Sequence, residues 1–367
     1  MCEHRNPIQC IVPPYMVEKI IVGSGDAETS QAALRNLRRS SYIRRLRAET
    51  QARGSQFAAF PDIAVEAHNA QLVRQVFDCE KREIVPGRLV RSEGEDATGD
   101  SAVDAAYDGA GDTWTYYKEV HRRNSIDDGG MIIKSNVHYG DRVDNAFWFP
   151  SPIKQMVYGD GSGTVFTNLT GSLDVIGHEL THGVIEHEGN WVYEFQSGAL
   201  NESFSDVFGS LVKQYKLKQD VKTADWLVGV EVMVQPDEEK PIYALRSLKE
   251  PGKAYQNHPV LGDDPQPATM DNYKDLPIWE DNGGVHINSG IANHAFYLAA
   301  MDFGGYAWEK AGQIWYRAMR SSQLRPTPSA PINFVKAAQA TIQIARELFG
   351  PDAERIVEKA WNEVQVI

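Results

Sequence analysis

The chain has 367 residues, 42% hydrophobic and 24% charged, with a formal net charge of −13 and a pI of about 5.3. Single cores stop growing at roughly 250–300 residues, so more than one lobe is expected. The acidic balance argues against nucleic acid as the main partner, and no stretch approaches the roughly 18 apolar residues that a membrane span needs.

The chain starts MCEHRNPIQCIVPPYMVEKI, with no continuous apolar run between a basic stub and a small-residue cleavage site, so no conventional secretory signal is expected. Cys2, Cys10 and Cys79 are too few for a disulfide framework. Residues 1–53 carry nine Lys/Arg against five acids, which leaves −17 on the remainder. Such a basic segment could dock electrostatically on the acidic body, or could present a solvated basic face. Residues 31–48, QAALRNLRRSSYIRRLRA, predict a basic helix with apolar contacts at Leu34, Leu37 and Leu46, and TQARGSQ after it reads as a linker.

From about Phe57 to Tyr139, short alternating runs such as RLVRSEG and MIIKSNVHY, punctuated by Gly and Asp, predict a strand-rich lobe with one helix in DTWTYYKEVHRRN. A Gly/Asp turn, YGDGSGTVF, leads to LTGSLDVIGHELTHGVIEH, where Val175, Ile176, Leu180 and Val184 keep helical spacing. Beyond Leu200 the chain reads as mainly helical, with Val335, Ala338, Ile342, Ala345 and Phe349 as one apolar stripe. No internal repeat is evident.

His178-Glu179-Leu180-Thr181-His182 is H-E-x-x-H. On a helix, positions i and i+4 share a face, so both imidazoles can reach one Zn²⁺ with Glu179 beside it. Alone, the motif is also compatible with two unrelated surface histidines. A catalytic site of the His₂Glu type needs a third ligand and an open position for water, and Glu202 is the candidate, beyond a turn-rich connector. Asp206, one helical turn further on, could accept the second ring N–H of a ligating histidine, and Asn201 could do the same; either could also be an ordinary helix-surface residue.

These residues resemble the thermolysin family of metalloendopeptidases. HELTH (178–182) with GALNESFSD (198–206) looks like the family's zinc signature, and DNAFW (144–148), the run ALRS around Arg246, and DNGGVHINSG (281–290) match further blocks in order. The resemblance implies an α+β, two-lobed fold with the zinc site in the cleft: a strand-rich N-terminal lobe over 56–190 that includes the H-E-x-x-H helix, and a helical lobe over 191–367. It implies that His178, His182 and Glu202 hold one zinc ion and that Glu179 is the general base. His286 and Tyr193 match the donors to the tetrahedral oxyanion, and Asp281 would orient His286. Asn145 and the Ala146 backbone match groups that hold substrate main chain, and Arg246 matches the residue binding the carbonyl after the cleaved bond. Phe166, Leu169, Val175, Val228, Val232 and Leu245 match the pocket for the side chain after that bond, so cleavage before bulky apolar residues is expected.

The family's calcium cluster reads here as Asp174, Lys213, Asp225, Leu227 and Val230, and a lysine is a poor companion for a cation that wants six to eight oxygens. Calcium is not expected there. This resembles the protealysin-type subgroup, which lacks such sites and carries a short pro-segment with a Pro-Pro motif near the N-terminus. Residues 1–55 are the matching segment. It contains Cys10-Ile-Val-Pro13-Pro14-Tyr15, expected to lie extended in the primed side of the cleft and keep the enzyme latent. The alternative is a Pro-rich lead into a strand. Cys10 is either a thiolate capping the zinc or an inert buried thiol.

The expected partners are peptide and protein substrates and the chain's own pro-segment, in a monomer. The expected location is cytoplasmic accumulation or non-classical secretion, with extracellular action implied by the resemblance. A non-catalytic, zinc-containing binding protein on the same fold is the competing reading, and an amidase or esterase a third. The presence of Glu179, which a structural zinc site does not need, favours the peptidase.

Overall fold

The computed structural model describes residues 9–37, 71–189, 191–236, 242–325 and 331–367. The two alternating runs singled out in the sequence become members of one mixed sheet, with one strand between them. It consists of β1 (Gln9–Cys10), β2 (Arg74–Asp78), β3 (Arg88–Ser92), β4 (Ile133–Val137), β5 (Ala146–Phe149) and β6 (Gln155–Tyr158), in the order β1-β5-β6-β4-β2-β3. β2 pairs parallel with β4, and β4 with β6, whereas β5 runs antiparallel to β6 and to β1.

Between β3 and β4 lies α3 (Ser101–His121). It begins eleven residues before the predicted Asp112, because Asp100 caps it by accepting from the N–H groups of Ala102 and Val103. The Ala- and Gly-rich half AVDAAYDGAG offers little hydrophobic contrast to read in sequence. Arg122, left-handed at φ 60°, ends it. Against this helix packs α4 (Leu173–Glu188), the H-E-x-x-H helix.

The second lobe is helical: α5 (Phe195–Leu217), α6 (Asp281–Phe303), α7 (Ala311–Met319), α8 (Phe334–Phe349) and α9 (Pro351–Glu363), with a short ribbon of β7 (Leu227–Val228) and β8 (Arg246–Ser247). On α8 the buried face is Phe334, Ala337, Ala338, Ala340, Thr341, Ile344 and Ala345. The predicted stripe is thus displaced: Ala338 and Ala345 are inside, but Val335 and Phe349 are both 40% exposed.

The N-terminal segment lies on both lobes. After β1, Pro13 is extended (φ −63°, ψ 149°) and Pro14 is already the first residue of helix α1 (Pro14–Gly23). The prolines therefore end an extended run and start a helix, which corrects the expectation of extended chain through Tyr15. α1 buries Met16, Val17 and Ile20 in the main core. Residues 27–37 form a second helix, α2, whose buried residues are Thr29, Ala32 and Ala33, with Leu34 and Leu37 only half-buried. Leu46 and the basic run from Arg38 to Arg53 lie outside the described residues. Among those described, no helix is long and apolar enough to cross a membrane.

Candidate metallopeptidase site

α4 and α5 approach closely enough to share ligands because glycines face each other. A Cβ on Gly209 would lie 2.4 Å from the Asp174 carbonyl oxygen and 2.9 Å from the His178 nitrogen. With none there, the buried Glu202 carboxylate on α5 comes to 3.5 Å from His178 Nε2 and 3.4 Å from His182 Nε2. These two Nε2 atoms stand only 3.0 Å apart.

Their protonation follows from the outer partners. His178 Nδ1 donates to Asp206 Oδ1 at 2.8 Å, and His182 Nδ1 donates to Asn201 Oδ1 at 2.8 Å, with Ser205 Oγ a further 3.0 Å contact. Both Nε2 atoms thus present lone pairs to each other and to Glu202, whose Oε2 has no hydrogen-bond partner. Burial and the neighbouring His178 hold the His182 pKa well below its ordinary value, which keeps it neutral. Two imidazole nitrogens facing each other as acceptors beside a buried carboxylate call for a cation, and two imidazoles with a carboxylate suit Zn²⁺.

Asp206 is the hub behind the ligands. Besides His178 it accepts from Arg246 Nε at 2.7 Å and Nη2 at 2.8 Å, and from Asn293 Nδ2 at 2.8 Å. Burial opposes its charge, but Arg246 and His178 outweigh that and hold its carboxyl well below the usual range.

Glu179 brings an oxygen within 4.8 Å of the histidine nitrogens. Its Oε2 accepts from the Trp148 N–H of β5 at 2.7 Å, which turns the carboxylate towards that strand. Burial foremost, then the nearby Cys10 and Glu202, push its pKa well up, against the pull of the Trp148 and Ile11 N–H groups.

His286 is positioned by an unusual start to α6, where Asp281 (φ 48°), Asn282 (φ 52°), Gly283 (φ 82°) and Gly284 (φ 80°) are all left-handed. At Gly283 a Cβ would also strike the Phe195 ring at 2.3 Å. This tight turn folds Asp281 back, so that Oδ2 accepts from the His286 N–H at 2.9 Å and Oδ1 accepts from His286 Nδ1. Burial works against the imidazolium, yet Glu202 and Asp281 prevail and raise the His286 pKa well above ordinary. Tyr193 O–H donates to Glu202 and stands 3.2 Å from His286 Nε2.

The N-terminal segment supplies main chain to this cleft. Ile11 N–H donates to the Ala146 carbonyl at 3.2 Å, Val12 N–H to Asn145 Oδ1 at 3.0 Å, and Asn145 Nδ2 to the Val12 carbonyl at 3.2 Å. Arg246 Nη1 donates to the Ile11 carbonyl at 2.9 Å and His286 Nε2 to the Cys10 carbonyl at 2.8 Å. The residues in the cleft are therefore Cys10 to Val12 rather than Pro13 to Tyr15; Tyr15, half-buried on α1, lies against Tyr255, and burial with that neighbour pushes its phenol well up. The Cys10 thiol contacts the Val12 carbonyl at 3.4 Å and packs in an apolar cluster with Cys79, Tyr139, Val143, Phe147 and Val157. Phe166, Leu169, Val175, Val228, Val232 and Leu245 are all fully buried, in the cluster that also holds Ile11.

His178, His182, Glu202, Glu179, Asp206, Asn201, His286, Tyr193, Asp281, Asn145, Arg246 and Cys10 are linked by these contacts, whereas Pro13, Pro14 and Tyr15 are not among them. The Trp148 N–H, Ser205 and Asn293 were not anticipated. Asn293 lies seven residues, two helical turns, after His286, a spacing that could have suggested it; the backbone donor leaves no side-chain signal.

Fold and site define a metallopeptidase with its zinc ligands on two adjacent helices. Residues 47–186 match the catalytic domain of the thermolysin metallopeptidases and residues 189–366 their alpha-helical domain, and the chain belongs to that family. It is a zinc metalloendopeptidase. It is 44% identical to protease PrtS of Photorhabdus sp. (strain Az29) over 362 residues, 99% of this chain and 93% of that protein. It is 42% identical to an extracellular metalloprotease of Pectobacterium carotovorum subsp. carotovorum over 361 residues, 98% of this chain and 97% of that one. The solved structure of the precursor of protealysin, a metalloproteinase from Serratia proteamaculans, superposes with a TM-score of 0.83 at 40% identity, covering 98% of this chain and all of that one.

Proposed function

We infer that the chain is an endopeptidase precursor that cuts peptide bonds before bulky apolar residues and holds itself latent with residues 1–55. The observation that carries this reading is the set of bonds from His286, Arg246 and Asn145 to the Cys10, Ile11 and Val12 main chain, beside an acceptor cluster suited to a cation. His178, His182 and Glu202 would hold the zinc, which when bound polarises a carbonyl and lowers the pKa of bound water. Glu179 takes the water proton, and burial raises its affinity for that proton. His286, held protonated and aimed by Asp281, donates to the oxygen on which charge develops, with Tyr193 beside it. Arg246 and Asn145 hold substrate main chain, and the buried pocket around Leu245 receives the side chain after the cut.

Extracellular action is supported by the name of the Pectobacterium relative, and calcium at the Asp174 cluster is not proposed. The test is a peptide-library profile of the matured enzyme. Enrichment of Leu, Ile, Phe or Val immediately after the cut is expected; dominance of charged residues there would refute the assigned pocket.

A further inference from the structure

Two side chains assigned to substrate read the same register on the N-terminal segment. His286 donates to the Cys10 carbonyl and Arg246 to the Ile11 carbonyl, at 2.8 and 2.9 Å. If His286 serves the carbonyl under attack and Arg246 the next one along, the bond between them is Cys10–Ile11. Other contacts agree. The Ile11 N–H faces both the Ala146 carbonyl, at 3.2 Å, and the Glu179 carboxylate. Val12 is held in both directions by Asn145, and the Ile11 side chain is fully buried. A plug that merely filled the cleft would have no need to satisfy every one of these groups in substrate order.

We propose that the Cys10–Ile11 peptide bond is itself a scissile bond, cut in cis by the site it occupies; this rests on the residue roles given above. The reaction is hydrolysis. Water oxygen adds to the Cys10 carbonyl carbon, the C–N bond breaks, Cys10 is left as a carboxylate, and both water protons end on the Ile11 amino group. Glu179 is placed to carry a proton from water to that nitrogen, since its carboxylate already faces the Ile11 N–H. The cut does not empty the cleft. The new amino terminus stays held by Arg246 and Asn145, and α1 stays anchored through Met16, Val17 and Ile20. The nick therefore precedes activity on other substrates, which waits for loss of the remaining segment.

The experiment follows the zinc-loaded full chain by intact mass. The first cut is expected between Cys10 and Ile11, at a rate that changes less than about twofold over roughly a tenfold range of protein concentration, as a reaction in cis requires. Glu179→Gln is expected to stay whole, with slow amide exchange at Ile11 and Val12 showing that the segment is still docked in this register. A first cut elsewhere with Cys10–Ile11 left intact, a rate that rises with concentration, or fast exchange at those two amides would overturn the proposal. If the chain hydrolyses an added peptide while Cys10–Ile11 survives, this inference falls and the peptidase reading stands. If it hydrolyses neither, this inference falls, and the assigned roles fall with it if the matured enzyme is also inactive.

Discussion

Glu179 and its neighbours separate metal binding from catalysis. Both ligand histidines are oriented by groups other than Glu179, so Glu179→Gln should retain zinc yet lose about 10²–10⁴-fold in turnover, measured on the matured enzyme with its metal content alongside. Activity within tenfold of the parent would remove Glu179 as the base. Asp206→Ala should instead weaken zinc binding by about 10–100-fold, because His178 loses its Nδ1 partner and Arg246 is left buried and unpaired. A second titratable clamp lies away from the site. His138 Nδ1 is 2.8 Å from Asp160 and Nε2 is 3.0 Å from Asp100, the carboxylate that also caps α3. The Asp160 hydrogen bond, opposed by burial and assisted by Asp100, raises the imidazolium to about 9. An unfolded histidine titrates near 6.5, so the folded state binds this proton more tightly. The stabilisation is complete below about pH 6.5 and is lost as pH rises through about 9, a change on the order of 1–3 kcal/mol. Urea midpoints at the two ends of that window should differ more for the parent than for His138→Gln, and equal differences would show that another group is responsible.

At the scale of elements, α5 and α4 are tied together by a lysine where the family's calcium cluster would be. Lys213 Nζ lies 2.7 Å from Asp174 Oδ2 and 3.3 Å from Asp225 Oδ1, and donates to the Leu227 carbonyl at 2.9 Å. Burial disfavours its charge, but Asp174 and Asp225 raise its pKa well above ordinary. A fixed ammonium in that position does a cation's work and repels a second one, so added calcium should leave the melting midpoint in place. A ligand at a hundred times its Kd would add about 2.7 kcal/mol, a shift of a few degrees that scanning calorimetry resolves. This substitution was readable in the sequence, as was the pairing of His178 with His182, because i and i+4 on a helix fix a face whatever packs around it. The helix α8 stripe was not, since Ala337, Ala340 and Thr341 form its buried face with almost no hydropathy contrast against Val335 and Phe349. The prolines misled for a related reason: Pro fits both an extended run and the first turn of a helix, and only the burial of Met16, Val17 and Ile20 decides in favour of the helix. The residues that fill the cleft, Cys10 to Val12, do so mainly through backbone atoms, which carry no sequence signature.

For the whole molecule, the question is what holds the N-terminal segment on the catalytic body. Charge balance suggested electrostatic docking, and ion pairs do join the two: Arg142 lies 2.9 Å from Glu28 and 3.8 Å from Asp26, and Arg35 lies 3.6 Å from Asp141. Among the described residues, two of these three place the acid on the segment and the base on the body. The pairs are also exposed or partly so, and such pairs contribute about 0–1 kcal/mol each. Against them stand Ile11, Val12, Met16, Val17 and Ile20, each 5% exposed or less, and a large apolar side chain contributes about 1.5–3 kcal/mol when fully buried. Among the described residues apolar burial therefore dominates, even if a third of it is discounted for residual contact in the undocked chain. Tethering adds to this, since a covalently linked segment competes with substrate at an effective concentration in the millimolar range. Latency should consequently survive high salt. In 1 M NaCl, where the screening length falls to about 3 Å, basal peptidase activity of the full chain should stay within about twofold of its low-salt value. Ile20→Asp, which places a charge in the apolar seat of α1, should raise basal activity at least tenfold without touching the catalytic groups. Replacing Pro13 and Pro14 by alanine should act in the same direction but less strongly, because the loosened chain loses order while the buried face of α1 is kept. A chain that salt alone activates, with Ile20→Asp no more active than the parent, would show that charge and not the apolar face of α1 holds the segment in place.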